Sequence, residues 1–106
     1  MQGIPTVTVD QVPTPLPEGL TMLDVREPIE WEQAHVPGST HIPMGEIPAR
    51  FDELPAEGKL VVVCAVGARS ARVVHYLLEH GRDAVNLDGG LMEWQAAGRE
   101  LVGGPA

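Results

Sequence analysis

The sequence predicts an α/β domain with a mostly parallel central sheet. Three observations carry that prediction. Leu60-Val61-Val62-Val63 is apolar at every position and strongly β-branched, the pattern of a strand buried on both faces. A helical pattern follows over residues 70–81, where Val73, Val74, Leu77 and Leu78 form one apolar stripe. Strand-like and helix-like segments alternate along the chain.

Thr6-Val7-Thr8-Val9 alternates polar and apolar residues and reads as a short strand. Residues 13–19 place Pro13, Pro15 and Pro17 close together, which no helix or ladder tolerates, so they form a stiff loop. Residues 21–26 are the second strand. Pro28 opens a helix that runs to about His35, with Glu27, Glu30 and Glu32 near its positive end. Val36-Pro37-Gly38 ends it. Residues 40–42 make a short strand, and 46–54 a short helix interrupted by Pro48. A turn over 55–58 leads to the strand 60–63 and then to the helix 70–81, which Gly81 stops. Residues 84–87 are another strand. Asp88-Gly89-Gly90 turns into a last helix over 91–97, closed by Gly98, and 103–106 are a tail. No repeat or linker divides the chain, so 1–106 reads as a single domain.

Composition narrows the function. At this size folding hides roughly 65% of the unfolded chain's surface, enough for one core without staples. The longest apolar run, residues 60–66, has seven members. A membrane span needs about 18. The first ten residues carry no basic side chain and no apolar stretch of signal length, so a cytoplasmic location is expected. Seven basic residues face 15 acidic ones, a net charge of −8, and Lys59 is the one lysine. No basic cluster exists, which argues against nucleic acid and against anionic membranes as partners. A small anion can still bind where local dipoles and one Arg outweigh the acidic field. Cys64 is the single cysteine, so neither an internal disulfide nor a Cys-only zinc site is possible. His35, His41, His75 and His80 form no zinc-protease pattern, and no metal is expected.

The most informative segment is Cys64-Ala65-Val66-Gly67-Ala68-Arg69-Ser70. It starts where a buried strand ends and finishes where a helix begins, the place where open α/β sheets bind ligands. The residues between Cys64 and Arg69 are small or short, and Gly67 permits unusual backbone angles. Backbone amides can therefore converge on one point, with a helix N-terminus behind them. A thiol at that point is stabilised as thiolate, the nucleophilic form. Arg69 supplies the local cation, with a fork suited to oxyanion oxygens. The bland alternative for Cys64 is an inert buried thiol at a strand end.

Several ordered fragments resemble the single-domain rhodanese, or thiosulfate sulfurtransferase, family over roughly residues 20–98. Leu23-Asp24-Val25-Arg26-Glu27 with Glu30-Trp31 is similar to its first motif, and His35-Val36-Pro37-Gly38-Ser39 with His41-Ile42-Pro43 to its second. Residues 64–70 are similar to its active-site loop, and Leu87-Asp88-Gly89-Gly90 with Trp94 and Gly98 to its closing motif. The resemblance implies a three-layer α/β/α sandwich and a persulfide relay. Cys64 would take sulfane sulfur from thiosulfate or another small anionic donor and pass it to cyanide, a thiol or a protein acceptor. The amides of Ala65, Val66, Gly67, Ala68 and Arg69 would hold the anionic sulfur. No metal or organic cofactor is implied. Cysteine phosphatases, including those with a similar fold, place five residues between Cys and Arg, whereas this loop has four, a ring better suited to sulfur than to phosphate. Ala65, Val66 and Ala68 add no donor side chain, which leaves the donor's identity open. The rival reading is a non-enzymatic sulfur carrier or a persulfide-sensing interaction module.

Asp24, at the end of its strand, is expected to support the loop through hydrogen bonds to backbone or Arg, its alternative being a turn or cap carboxylate. Arg26 is expected to pair with Glu27 or Glu30. Ser70 is expected to cap the helix that follows the loop, with a proton relay as a secondary role. His35 is expected to hold the Val36-Pro37-Gly38 turn, Trp31 and Trp94 to pack in the core, and Arg72, His75 and His80 to lie at the surface.

Overall fold

The computed structural model describes residues 3–103. At its centre is β4 (Lys59–Val63), flanked by β2 (Leu20–Asp24) and β5 (Asp83–Leu87). β3 (Thr40–His41) lies outside β2, and β1 (Thr6–Val7) outside β5, giving the order β1-β5-β4-β2-β3. Every pairing is parallel, so the expected mostly parallel sheet is wholly parallel among the described residues. The register places Leu23 and Asp24 beside Val62 and Val63, and Val62 beside Asn86.

The continuous apolar run of β4 is explained by burial on two sides. Leu60, Val62 and Cys64 belong to one core, with Val73, Val74 and Leu77 of α2 (Ala68–Glu79). Val61 and Val63 belong to the opposite core, with Leu91 and Trp94 of α3 (Gly90–Ala96). Each such Val or Leu contributes about 1.5–3 kcal/mol by leaving water. Alternate residues of one strand thus feed two cores, and the side chain after Val63 must turn toward α2. That parity places Cys64 beside the helix start.

The strand order reverses between β2 and β4. The chain leaves β2 through α1 (Pro28–Gln33) toward β3, and leaves β4 through α2 toward β5. A crevice opens at such a switch point, beyond the carboxyl ends of both strands. Residues 24–26 and 64–70 stand there.

Several boundaries differ from expectation. The strand expected over 6–9 stops at Val7, and Val9–Gln11 form a 3-10 turn in which the Gln11 side chain accepts the Thr8 amide at 2.9 Å. The helix expected over 46–54 is instead two 3-10 turns, Met44–Glu46 and Phe51–Glu53. Pro48 has no N–H to donate and prevents a continuous helix between them. α1 ends at Gln33 rather than near His35, because Ala34 is already extended, with φ −170°. α2 begins at Ala68, two residues before Ser70, with Gly67 at its N-cap in a left-handed conformation, φ +108°. The predicted tail beyond Gly103 lies outside the described residues.

Candidate active site

The loop after β4 curls around its own first side chain. Cys64 Sγ accepts the Gly67 N–H at 3.1 Å and the Ser70 N–H at 3.4 Å, and lies 3.3 Å from the Ser70 hydroxyl. Cys64 itself has no exposed surface. Burial pushes its thiol up. The Ser70 hydroxyl and the amides of Ser70, Gly67 and Val66 outweigh that and hold it below the usual thiol range. The cause is geometric: the unpaired amides at the start of α2 point at the sulfur.

The same loop is held from behind by α3. Leu91 donates its N–H to the Cys64 carbonyl at 2.9 Å, and Met92 to the Ala65 carbonyl at 3.0 Å. Two carbonyls are thereby drawn toward α3 and away from the sulfur. The approach is so close that a Cβ on Gly90, at φ +57°, would collide with the Cys64 and Ala65 carbonyls. The Gly89-Gly90 turn is thus part of the cradle. Val66 is exposed, and a cleft of about 160 Å³ beside Ala65 is lined by Arg26, Ala34, Leu91, Met92, Gln95 and Leu101.

Arg69 is not free. Its guanidinium makes a two-pronged ion pair with Glu30 of α1, at 2.8 and 3.0 Å, across the crevice. The Arg69 fork holds the Glu30 carboxyl down at about 2, and the Glu27 amide, which donates to Glu30 Oε1 at 2.9 Å, adds to this. Arg69 also lies near enough to Cys64 for their charges to attract.

Among the described residues, the Asp24 side chain hydrogen-bonds to Arg26 and to no residue of the loop. Its carboxylate accepts the Arg26 amide at 3.0 Å, Arg26 Nε at 3.0 and 3.1 Å, and Arg26 Nη2 at 2.8 Å. Arg26 Nη2 also donates to the Ala34 carbonyl at 2.6 Å, tying the end of α1 to the sheet. Arg26 therefore pairs with Asp24, not with Glu27 or Glu30 as expected. Its side chain folds back under the turn, where two buried partners exclude water.

Ser70 is not a cap. It lies inside the first turn of α2, buried, with its hydroxyl 2.6 Å from Asn86 Oδ1. Asn86 Nδ2 donates to the Gly67 carbonyl at 3.1 Å. Asn86 and Glu30 are the residues that sequence reasoning did not assign to the site. The signal for Asn86 was available: a polar side chain inside the apolar Ala84-Val85-Asn86-Leu87 needs a buried partner. Glu30 lies 39 residues from its partner and gives no local sign.

The remaining assignments sort by packing. Trp94 is buried in the α3 core. Trp31 is half-buried and stacks with both His35 and His41, with centroids at 3.6 and 4.9 Å. The ring of His35 bonds the Trp31 carbonyl, and its backbone bridges to Val102, so it does not hold the following turn through its side chain. Arg72, His75 and His80 are exposed, as expected. No helix among the described residues is long and apolar enough to cross a membrane.

This geometry agrees with three comparisons. The family model described as the rhodanese-like domain matches residues 8–97. A sulfurtransferase of Allochromatium vinosum is 36% identical over 86 residues, 80% of this chain and 80% of that one. The thiosulfate sulfurtransferase GlpE of Pseudoalteromonas translucida is 31% identical, over 80% of this chain and 82% of that one. The crystal structure of a rhodanese-related protein from Thermoplasma volcanium superimposes with a TM-score of 0.86 at 31% identity, covering 92% of this chain and 97% of that one. A wholly parallel sheet, a thiol cradled by amides at its switch point and these matches have one common reading: the chain belongs to the rhodanese-like domain family.

Proposed function

We propose that the protein is a sulfurtransferase that carries sulfane sulfur as a persulfide on Cys64. The observation that supports this reading is the set of donors around Cys64 Sγ: the Gly67 and Ser70 amides and the Ser70 hydroxyl, all within 3.4 Å. Such a cradle favours the anionic sulfur that must attack. With thiosulfate as donor, Cys64 thiolate attacks the outer sulfur. The new S–S bond forms as the bond to the sulfonate sulfur breaks, and the electron pair leaves on sulfite. A thiol or cyanide then attacks the outer sulfur and returns Cys64 to thiolate. Neither step needs an outside oxidant or a cofactor.

The amides of Ala65, Val66, Gly67, Ala68 and Arg69 are the groups that face the outer sulfur in this scheme. Because Cys64 has no exposed surface, a donor reaches it only as the loop opens. Arg69 recognises an anionic donor to the extent that it is released from Glu30.

Intact-mass measurement after incubation with thiosulfate tests the reading. The expected result is a gain of one sulfur atom, reversed by dithiothreitol and absent in Cys64→Ala. Sulfur transfer that survives Cys64→Ala would overturn the scheme. Repeated turnover with cyanide or a thiol distinguishes an enzyme from a carrier, which would load once and stop.

A further inference from the structure

The Ser70 hydroxyl has one hydrogen and two acceptors within reach. Its Oγ lies 2.6 Å from Asn86 Oδ1 and 3.3 Å from Cys64 Sγ. The Asn86 amide is oriented by its other end, where Nδ2 donates to the Gly67 carbonyl. The atom turned to Ser70 is therefore Oδ1, which can only accept. Cys64 and Ser70 have no exposed surface and Asn86 is 8% exposed, so a hydrogen bond lost here is not replaced by solvent.

We infer that Asn86 is a positioning residue that competes with the Cys64 sulfur for the Ser70 proton, and so sets how readily that sulfur carries charge. In the thiol, Cys64 S–H donates to Ser70 Oγ and the Ser70 hydroxyl donates to Asn86 Oδ1. All three groups are satisfied. The thiolate has no hydrogen and requires one. The Ser70 hydroxyl then turns to Sγ, and Asn86 Oδ1 loses its donor. The Gly67 and Ser70 amides serve the sulfur in either state. Of the nearby charges, Arg69 favours the thiolate, Glu30 offsets Arg69 through their ion pair, and Asp24 and Arg26 close on each other.

The consequence for sulfur transfer rests on the proposed persulfide. When Cys64 thiolate attacks a low-molecular-weight persulfide R–S–SH, a Cys64 S–S bond forms. The donor's own S–S bond breaks, and R–S⁻ departs with the electron pair. Charge in the loaded site then resides on the outer sulfur after it loses its proton to solvent. Sγ is now neutral, and the Ser70 hydroxyl returns to Asn86. Asn86 thus opposes the thiolate without opposing the persulfide, and biases the site toward its sulfur-loaded form.

The test follows Cys64 ionisation in the full chain by the pH dependence of iodoacetamide alkylation, with the ultraviolet absorbance of the thiolate as a readout independent of access. Ser70→Ala is expected to slow alkylation at neutral pH by about fivefold, one hydrogen bond's worth. Asn86→Ala is expected to speed it by about the same factor, and to have no effect in the Ser70→Ala background. Slowing by Asn86→Ala, or an equal effect in both backgrounds, would overturn the inference, because Asn86 would then act only by holding Gly67. The wild-type protein provides a check that does not depend on a variant folding. The ¹³C signal of the Asn86 side-chain carbonyl should shift toward its unbonded value as Cys64 ionises, and a signal that stays still overturns the inference. Loading by a persulfide, read by intact mass, is separate: no loading in any variant defeats the transfer reading and leaves the alkylation signs standing.

Discussion

Two arginine–carboxylate pairs flank the crevice, and they do different work. Asp24–Arg26 is local, two residues apart, and sealed: the side chains are 1% and 9% exposed. Glu30–Arg69 joins α1 to α2 across 39 residues and is about a third exposed at both ends. The sealed pair builds the turn after β2 and anchors the end of α1 through the Ala34 carbonyl. The open pair occupies Arg69, whose charge attracts the thiolate. The chemistry of the two pairs is the same; burial makes one a structural joint and leaves the other exchangeable.

The largest expected effect comes from breaking the sealed pair. Asp24→Ala leaves Arg26 buried and uncompensated, and should lower unfolding free energy by about 3–5 kcal/mol. That is a large share of the roughly 5–15 kcal/mol typical of a domain. Urea titration measures it. Removing both charges, as Asp24→Leu with Arg26→Met, should recover all but about 1–2 kcal/mol, the remainder coming from the orphaned Ala34 carbonyl and the backbone amide at position 26. A double variant as unstable as Asp24→Ala would show that the pair itself, rather than the stranded charge, supports the turn.

Glu30→Gln should cost less than about 1 kcal/mol, since the pair is exposed. Its effect belongs to recognition. With Arg69 released, KM for thiosulfate should fall by about fivefold, the scale of one charge-assisted bond, with kcat little changed. An unchanged KM would place Arg69 outside donor binding.

The smallest effect is in acid. The Glu30 carboxyl lies at about 2 in the folded protein against an ordinary 4.5, held down first by the Arg69 hydrogen bond. Folded below unfolded means that the pair stabilises fully above about 4.5 and is lost as pH falls toward 2. The Tm difference between wild type and Glu30→Gln should shrink over that window and be weakened by salt.

Legibility followed range. Residues 60–63 were readable as a strand because their β-branched, apolar composition is a local property; they and the strand expected over 84–87 fall within the observed strands Lys59–Val63 and Asp83–Leu87. The short helix expected over 46–54 with an interruption at Pro48 is instead two 3-10 turns, because the missing N–H does more than interrupt it. Ser70 has the residue type of a cap, yet it sits inside the first turn of α2. The cap is Gly67, whose left-handed backbone lets the chain turn from β4 into α2 within four residues of Cys64.

By itself the sequence determined the two-sided burial of β4, the thiol that follows it, and the small residues that let amides face that thiol. These are properties of neighbours in the chain. The tertiary structure alone decided which charges meet and which proton acceptor stands behind Ser70. Arg26 had Glu27 and Glu30 nearby in sequence, yet burial under the β2 turn gave it Asp24. Arg69 found Glu30 only when the reversal of strand order brought α1 to the start of α2. Asn86 reached Ser70 only because β5 runs beside β4 in parallel register. An ion pair or a buried hydrogen bond is set by distance in space, and a linear sequence does not contain that distance.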